Sequence, residues 1–273
     1  MNNDYARFQR DGWQRVAGSY DDAWSGLTRL FIPDLLDAAG VSAGHRLLDV
    51  ACGPGYVAEA AGDRGAAPTG IDVSSEMIRI ARERTAGIDF RVGDALALEF
   101  ASAQFDVVVS NFGMIHVPDF AGAFAEARRV LRPDGVLAFT AWSGPETSAG
   151  ARLMDGAIRA HADMNVSMPR GPDSLLLATP DACVALLAAA GFDPGAVTFR
   201  SVTHGWRVPT ASFIFERERD AGVRTAALLA RQTPEALDAM QRDVEAAMRP
   251  FANPPGFLVP YTAHVIAARA GNL

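Results

Sequence analysis

The sequence predicts an α/β fold, a doubly wound and mostly parallel sheet with helices on both faces. Three observations lead to this prediction. Short apolar runs alternate with helical patterns through the first half of the 273-residue chain, which is the rhythm of βαβ units. The apolar run 107–109 has no polar interruption, as expected of a strand buried on both faces. The run 47–50 leads directly into a glycine-rich turn and a helix, the arrangement that presents backbone N–H groups to a ligand.

The first half of the chain contains five predicted strands joined by helices. Aromatic and apolar residues recur every three or four positions from Trp13 to Phe31, which predicts N-terminal helix with one apolar face. A helix that begins at Phe120 is expected to end at Leu131, before the proline–glycine turn 132–135. The five strands are predicted at residues 47–50, 69–73, 90–92, 105–110 and 136–141.

The second half of the chain departs from this rhythm and predicts helical insertions. A sixth strand is expected at 197–206, with its alternation broken at 203–205, and a last strand at 257–268. Helices are expected at 149–162, 179–190 and 211–248. The expected organisation is a single domain with an N-terminal helical lid (1–40), a ligand-binding core (41–143), a cap (144–256) and a C-terminal strand segment (257–273).

Composition and charge argue against several classes of protein. Hydrophobic residues make up 49% of the chain and charged residues 21%, which supports a sizeable core. The net charge of −7 and the lack of a lysine–arginine run argue against nucleic acid as a partner. No apolar stretch approaches the ~18 residues of a membrane span, and the N-terminus lacks a signal-peptide pattern, so a cytoplasmic protein is expected. The two cysteines and the scattered histidines predict no metal site.

The strand–turn–helix around Asp49 is the most informative pattern of the chain. Gly53, Gly55 and Ala58 satisfy the spacing of a dinucleotide fingerprint, with Asp72 at the end of the next strand. A carboxylate four residues before Gly53 would, however, repel a pyrophosphate at the helix N-terminus. The same carboxylate would pair with a cationic ammonium. The pattern therefore favours a sulfonium nucleoside, S-adenosylmethionine, over a dinucleotide.

Four further motifs follow this turn in order along the chain. Residues 70–74 (GIDVS) place an acid at the end of strand two, and residues 92–95 (VGDA) follow strand three. Residues 110–116 (SNFGMIH) leave strand four, and residues 129–135 (RVLRPDG) lead into strand five. With these motifs at compatible spacing, the chain resembles the class I S-adenosylmethionine-dependent methyltransferases, most closely the small-molecule bacterial group around the ubiquinone/menaquinone methyltransferases. One departure is Ala51, where that family usually carries a glycine.

The resemblance implies a fold and a role for each acid. It implies a Rossmann-like sheet of seven strands in the order 3-2-1-4-5-7-6, with strand seven antiparallel. In such a protein Asp49 would pair with the cofactor's ammonium and Asp72 would accept the ribose hydroxyls. Asp94 would bind the adenine amino group, while Ala95 offers its N–H.

The N-terminal helix has two interpretations. Trp13, Tyr20 and Trp24 lie on a helical stripe, which is typical of core packing. Alternatively, the resemblance implies that the helix closes over the cofactor and that Tyr20 touches its methionine part. The cofactor contacts expected in total are Tyr20, Asp49, Ala51, Cys52, Gly53, Gly55, Asp72, Val73, Met77, Gly93, Asp94, Ala95, Asn111 and Phe112.

His116 also has two interpretations. An imidazole at the exit of strand four could act as a general base, since its unperturbed pKa is about 6.5. Many methyl transfers need only alignment and desolvation of the nucleophile, in which case His116 is a loop histidine that packs locally. The sequence leaves both open.

The implied reaction is in-line displacement at the sulfonium methyl by an O, N or C nucleophile of a small molecule. The walls for that molecule are expected in the apolar residues least like the family motifs, which indicates a hydrophobic or aromatic metabolite. The substrate contacts expected are Trp24, Met114, Met154, Trp206 and Phe213, with Leu175, Leu176, Leu177 and Phe215 as further candidates. The same residues could instead only bury the cap helices.

Two other functional classes stay open from the sequence. One is a protein that binds S-adenosylmethionine as a sensor or partner subunit without transferring a methyl group. The other is an NAD(P)-dependent oxidoreductase, for which the glycine turn would be a dinucleotide site. The oligomeric state is open between monomer and homodimer, because the cap helices could also form an interface.

Overall fold

A computed structural model describes residues 3–271 and contains one sheet flanked by helices. Residues 1, 2, 272 and 273, which the expected N-terminal lid and C-terminal segment include, lie outside the described residues. The strands are β1 (Arg46–Val50), β2 (Ala67–Asp72), β3 (Asp89–Val92), β4 (Phe105–Ser110), β5 (Leu131–Trp142), β6 (Thr198–Val208), β7 (Ala252–Asn253) and β8 (Gly256–Arg269).

The strand order confirms the predicted topology. The strands lie in the order β3-β2-β1-β4-β5-β8-β6. The pairings from β3 through β5 are parallel, and β8 runs antiparallel to both β5 and β6. The antiparallel strand is the eighth in the chain rather than the seventh, because the two-residue strand β7 precedes it and pairs with it. Sequence reasoning missed β7.

The helices cover both faces of this sheet. Short 3₁₀ and π-helical turns join the first three helices between residues 17 and 31. The α-helices are α1 (Asn3–Val16), α2 (Gly26–Thr28), α3 (Ile32–Ala38), α4 (Tyr56–Asp63), α5 (Ser75–Arg84), α6 (Phe120–Val130), α7 (Ala149–His161), α8 (Pro180–Ala189), α9 (Phe213–Ala221), α10 (Arg224–Leu229) and α11 (Pro234–Ala247). None of these described helices is long and apolar enough to cross a membrane.

Alternate residues of the central strands supply two cores, as the continuous apolar runs predicted. Leu48 and Val108 belong to the larger core, which α6 and the cap helices cover. Leu47, Val107 and Val109 belong to the core under α3 and α4. Because successive strand residues point to opposite faces, a sheet covered on both sides needs an apolar residue at every position.

The boundary predicted for the start of β5 is wrong. β5 begins at Leu131 rather than at position 136, because Leu131 already pairs with Phe105 before an irregularity in the register. The predicted turn 132–135 therefore lies within the strand, with Asp134 at φ +62°. Residues 203–205, where the apolar alternation of β6 is broken, pair with β8 without interruption. The helices predicted at 211–248 are present as α9, α10 and α11.

Helix α1 contacts both the start of α5 and the connection between α9 and α10. The Oε1 atom of Gln14 accepts hydrogen bonds from Ser74 Oγ at 3.0 Å and from the Glu76 amide at 3.2 Å, at the start of α5. On the opposite side of the site, a Cβ at Gly12 would lie 2.4 Å from Val223 Cγ1, between α9 and α10. The glycine permits this close approach, and α1 thereby spans the space above the sheet.

Candidate cofactor and acceptor site

A cavity of about 470 Å³ opens at the carboxyl ends of β1, β2, β4 and β5. Ligands of open α/β sheets bind at this edge, and the volume falls within the ~300–1,000 Å³ of small-molecule sites. We call its wall at Asp49, 51–53, Asp72 and 93–95 the cofactor side. We call its wall at Trp24, Trp142, Met154, Glu218 and Tyr261 the cap side.

Asp49 is the most unusual group on the cofactor side. It is fully buried, and neither of its carboxylate oxygens has a hydrogen-bond partner. Burial raises the pKa of Asp49 well above its usual range, and the charge of Asp72 raises it further. The field of the Ala58 amide lowers this pKa in part, without completing a hydrogen bond to either oxygen. A buried carboxylate without a partner is costly, so the site is suited to a ligand that brings a cation.

The turn after β1 needs left-handed backbone at three positions. Ala51 has φ +57°, Gly53 has φ +51° and Gly55 has φ +86°. Ala51 carries a side chain in this conformation, and a Cβ on Gly113 would lie only 2.5 Å from the Cβ of Ala51. The side chain of Ala51 therefore fits only because residue 113 is a glycine.

Asp72 ends β2 and connects the glycine turn to α5. Its Oδ2 accepts a hydrogen bond from the Gly53 amide at 2.9 Å, and its Oδ1 accepts one from the Ser74 amide at 2.8 Å. Burial raises the pKa of Asp72 to about 6, although these two hydrogen bonds lower it in part. Each oxygen keeps acceptor capacity for a further donor, because a carboxylate offers about four acceptor sites.

The residues of the motif at 92–95 that are expected to contact adenine also line the cavity. Gly93, Asp94 and Ala95 lie there together with Val73 and Met77. The Oδ1 atom of Asp94 accepts a hydrogen bond from the amide of Leu96 at 2.9 Å, which fixes the carboxylate at the rim. Asp94 is solvent-exposed, in contrast to the two buried acids.

The exit of β4 forms the floor between the two sides. Asn111 donates from Nδ2 to the Thr28 carbonyl at 3.0 Å, and its Oδ1 accepts from Thr140 Oγ1 at 2.8 Å. Phe112, at φ +59°, donates its amide to the same threonine oxygen at 2.8 Å. Its ring stacks on Trp142 with the centroids 3.7 Å apart. Thr140 thus orients both residues of the strand exit.

The N-terminal segment covers this floor with aromatic rings. Trp13, Tyr20 and Trp24 all line the cavity. The Tyr20 hydroxyl lies 3.2 Å from Thr28 Oγ1, and burial raises its pKa to about 12. His116 packs edge-on against Trp13 at 4.9 Å, and burial lowers its pKa to about 4, so its imidazole is neutral at pH 7.

Most residues predicted for the site lie around this cavity, and some do not. Those that line it are Tyr20, Trp24, Asp49, Ala51, Cys52, Gly53, Asp72, Val73, Met77, Gly93, Asp94, Ala95, Asn111, Phe112, His116 and Met154. Those absent from its lining are Gly55, Met114, Trp206, Phe213, Leu175, Leu176, Leu177 and Phe215.

The residues absent from the lining have other positions in the fold. A Cβ at Gly55 would lie 2.7 Å from the Phe90 ring, so this glycine lets the turn pack on β3. Met114 is buried in the larger core. Trp206 stacks behind Trp24 with the ring centroids 6.0 Å apart, so it supports the cavity wall from the second layer.

Sequence reasoning missed the polar residues of the cap side. Glu218, Tyr261 and Ser148 line the cavity, and Gln9 of α1 faces it as well. Burial raises the pKa of Glu218 to about 7, while the Thr225 hydroxyl lowers it in part by a hydrogen bond. No motif marks these residues, because the tertiary fold assembles them from separate elements.

The cofactor side fits S-adenosylmethionine on the grounds of its own chemistry. The unpartnered carboxylate of Asp49 matches a cationic ammonium, and the side-chain-free turn at Gly53 lets a ligand approach the backbone closely. The acceptor capacity of Asp72 matches vicinal hydroxyls. A pyrophosphate would instead face two buried acids, Asp49 and Asp72.

Comparison with known proteins agrees with this chemistry. The family described as Methyltransferase domain matches residues 48–139. A demethylmenaquinone methyltransferase of Renibacterium salmoninarum is 40% identical over 162 residues, which are 56% of this chain and 68% of that protein. A malonyl-(acyl-carrier protein) O-methyltransferase of Enterobacter lignolyticus is 40% identical over 113 residues. This match covers 40% of the chain and 45% of the relative, so the chain spans less than half of that protein's length.

Solved structures agree on the fold. A phosphoethanolamine N-methyltransferase 2 of Haemonchus contortus, in complex with phosphomonomethylethanolamine and S-adenosylhomocysteine, superimposes with a TM-score of 0.57 at 19% identity. The superposition covers 97% of this chain and 60% of that one. The family relationship decides against the dinucleotide-dependent oxidoreductase and the non-catalytic sensor. The chain belongs to the class I S-adenosylmethionine-dependent methyltransferases and is an enzyme that takes its methyl group from S-adenosylmethionine.

Proposed function

We propose that this enzyme methylates a small, largely apolar or aromatic molecule held against the cap side of the cavity. The observation that supports the proposal is the continuity of one cavity from the buried acids to an aromatic wall. Trp24, Trp142, Met154 and Tyr261 contribute rings and a thioether to that wall. Such surfaces bind apolar molecules through burial of area and through ring stacking.

The cofactor is held on the opposite side by residues with distinct tasks. Asp49 pairs with the ammonium, Asp72 accepts the ribose hydroxyls and Asp94 receives the adenine amino group. S-adenosylmethionine, when bound, supplies an electrophilic methyl group on a sulfonium. The protein's residues position the two reactants about 3 Å apart and exclude water, which accounts for much of the acceleration available to such a transfer.

The N-terminal segment acts as a lid in this proposal, and residues 144–256 form the cap. The contacts of α1 with both Ser74 and Val223 support this division. We assign His116 to the cavity wall rather than to proton transfer. Its low pKa makes it a weak base, and its ring packs against Trp13.

Calorimetry tests the cofactor part of the proposal. Wild-type protein is titrated with S-adenosylmethionine, S-adenosylhomocysteine and NAD⁺, and the titrations are repeated with Asp72→Ala. The two sulfur nucleosides should bind, NAD⁺ should not, and the variant should lose affinity. Binding of NAD⁺ alone would overturn the assignment of the acids.

Formation of S-adenosylhomocysteine with a panel of acceptors tests the substrate part. We expect turnover with apolar aromatic phenols, quinols or amines and none with small polar molecules such as glycine. Met154→Phe narrows the cap side, so it should raise KM for the aromatic acceptors and leave the affinity for S-adenosylhomocysteine unchanged. Turnover restricted to polar acceptors would refute this class of substrate.

A further inference from the structure

Glu218 places a carboxyl group in the cavity that the cofactor does not account for. It belongs to α9 and lines the cavity, and no ion pair among residues 3–271 includes it. Its flanking arginines pair instead with Glu216 and Asp220. The Thr225 hydroxyl donates to the carboxyl, which leaves acceptor capacity for a further donor because a carboxylate offers about four lone-pair sites.

A glycine next to Glu218 keeps the carboxyl accessible. A Cβ at Gly222 would lie 3.1 Å from Glu218 Oε2 and 2.6 Å from the Glu218 carbonyl oxygen. Gly222 itself lines the cavity. Any larger residue at this position would displace the carboxyl group or fill the space in front of it.

Gln9 is a second acceptor at the same end of the cavity. Its side chain is 5% exposed, Nε2 donates to the Tyr5 hydroxyl at 2.8 Å, and Oε1 has no hydrogen-bond partner. Helix α1 brings it there, because Gly12 packs directly on Val223, the neighbour of Gly222. An orphaned, buried acceptor of this kind costs free energy until a donor reaches it.

Glu218 and Gln9 Oε1 are the acceptors at this end, beside aromatic surfaces, and Arg224, which also lines the cavity, donates from Nη1 to the Pro169 carbonyl at 3.4 Å. Trp24 donates its indole N–H to the Ala221 carbonyl at 3.1 Å, so that donor is already used. Tyr261 also lines the cavity, and burial raises its pKa, as does the charge of Glu218. A molecule that binds here satisfies both of these acceptors only if it brings hydrogen-bond donors.

We propose that the methyl acceptor is an apolar molecule that presents a hydroxyl or amino hydrogen-bond donor to Glu218 and Gln9, which makes these two residues determinants of acceptor specificity. The inference rests on the proposed function, because it assigns the cap side to the acceptor. Sites that hydrogen-bond a substrate's O–H or N–H reject analogues without it, since the buried acceptors are then left unpaired.

Matched probes test the inference by calorimetry on protein saturated with S-adenosylhomocysteine. The probes are 1-naphthol, 1-naphthylmethylamine and 1-methoxynaphthalene, which share one ring system and differ in the donor. At about pH 8.5, where Glu218 with its pKa of about 7 is mostly ionised, we expect the wild type to bind at least one donor probe about tenfold more tightly than the methoxy compound, as one hydrogen bond to a charged group predicts. The donor probe that binds more tightly shows whether the site prefers a neutral hydroxyl or a cationic amine.

Variants at Glu218 and Gln9 complete the test. Glu218→Met and Gln9→Met should remove the preference for donors, whereas Glu216→Met, on the same helix but outside the cavity lining, should retain it. All three variants should keep the wild-type affinity for S-adenosylhomocysteine, which shows that they fold. Equal binding of the three probes to the wild type, or a preference that survives in Glu218→Met, would overturn the inference. Failure of the wild type to bind S-adenosylhomocysteine would instead refute the proposed function.

Discussion

The cofactor side and the cap side of the cavity differ in how the chain builds them. Every residue of the cofactor side lies at the carboxyl end of β1 or β2 or in the short connection after β1 or β3. The residues of the cap side are scattered from Trp24 to Tyr261 and come from a helical turn, a strand end, two helices and the antiparallel strand. One side is set by local backbone geometry, and the other by long-range packing.

Binding residues can be predicted from a single sequence on the cofactor side but not on the cap side. A turn that needs φ > 0 and close backbone approach restricts residue types at fixed spacing. An aromatic wall restricts only the size and the hydrophobicity of its side chains, and many different residue combinations meet these two requirements. Variants that affect one side without the other test whether the two are separable.

Asp49→Asn is expected to give the largest effect and to confine it to the cofactor side. Affinity for S-adenosylhomocysteine should fall about a hundredfold or more, because removing one charge of a buried pair costs roughly 2–5 kcal/mol. The ligand-free protein should melt at a higher temperature, since the variant removes a buried ionisable carboxyl group that has no hydrogen-bond partner. Calorimetry and thermal unfolding measure the two effects. The exposed Asp89→Asn is the control, and unchanged affinity in Asp49→Asn would contradict the assigned contact.

Gly113→Ala tests how tightly the turn itself is constrained. The new Cβ would lie 2.5 Å from Ala51 Cβ and 2.6 Å from Ser110 Oγ. Overpacking of this kind lowers the free energy of unfolding by about 3 kcal/mol, the upper end of its usual range. Adding Ala51→Gly should restore part of that loss in denaturant unfolding, because one of the two clashes disappears. Strict additivity of the two substitutions would show that they do not interact.

Met154→Ala is the corresponding change on the cap side. Met154 is 6% exposed, and its truncation should cost about 2 kcal/mol of stability, near the lower limit for such changes because the side chain borders a cavity. Steady-state kinetics should show a higher KM for an aromatic acceptor, while S-adenosylhomocysteine binding stays within about twofold of the wild type. A large loss of cofactor affinity would show that the two sides are not separable.

The pH dependence of cofactor binding is expected to be the smallest effect. Asp72 has a pKa of about 6 in the ligand-free protein, and its ionised form is the better acceptor for ribose hydroxyls. Affinity for S-adenosylhomocysteine should therefore fall as the pH drops from 7 to 5, by at most about tenfold per unit for one titrating group. Asp72→Asn should remove the part of this slope centred near pH 6. His116, with a pKa of about 4, stays mostly neutral over this range.

The same pKa sets the opposite trend for the stability of the free protein. A carboxyl whose folded-state pKa is raised binds more protons when folded than when unfolded. Its contribution to stability is therefore fully present below about pH 4 and is lost as the pH rises through 6. Denaturant unfolding without ligand at several pH values measures it, with Asp72→Asn as the comparison. A wild-type curve that matches the variant would mean that Asp72 has an ordinary pKa.

Element boundaries show the limit of sequence reasoning in the fold itself. The predicted β4 coincides with the observed strand, because its apolar run ends at clear polar neighbours. β5 was placed too late, since proline and glycine at 133 and 135 favour a turn, whereas pairing of Leu131 with Phe105 extends the strand through them. In β6, Gly205 resembles a break but gives room to Leu258, whose Cδ1 would lie 2.9 Å from a Cβ there.

The strand order was implied by the resemblance to a known family. The strands themselves, the glycine turn and the acids of the cofactor side are evident in the amino-acid sequence alone. These features follow from alternation of apolar residues and from backbone conformations that few residue types tolerate. The tertiary structure was needed to show that Trp206 stacks on Trp24 and that Glu218 and Gln9 line the same cavity. Burial and approach between distant elements leave no periodic trace in the chain, because they depend on the packing of whole helices against one sheet.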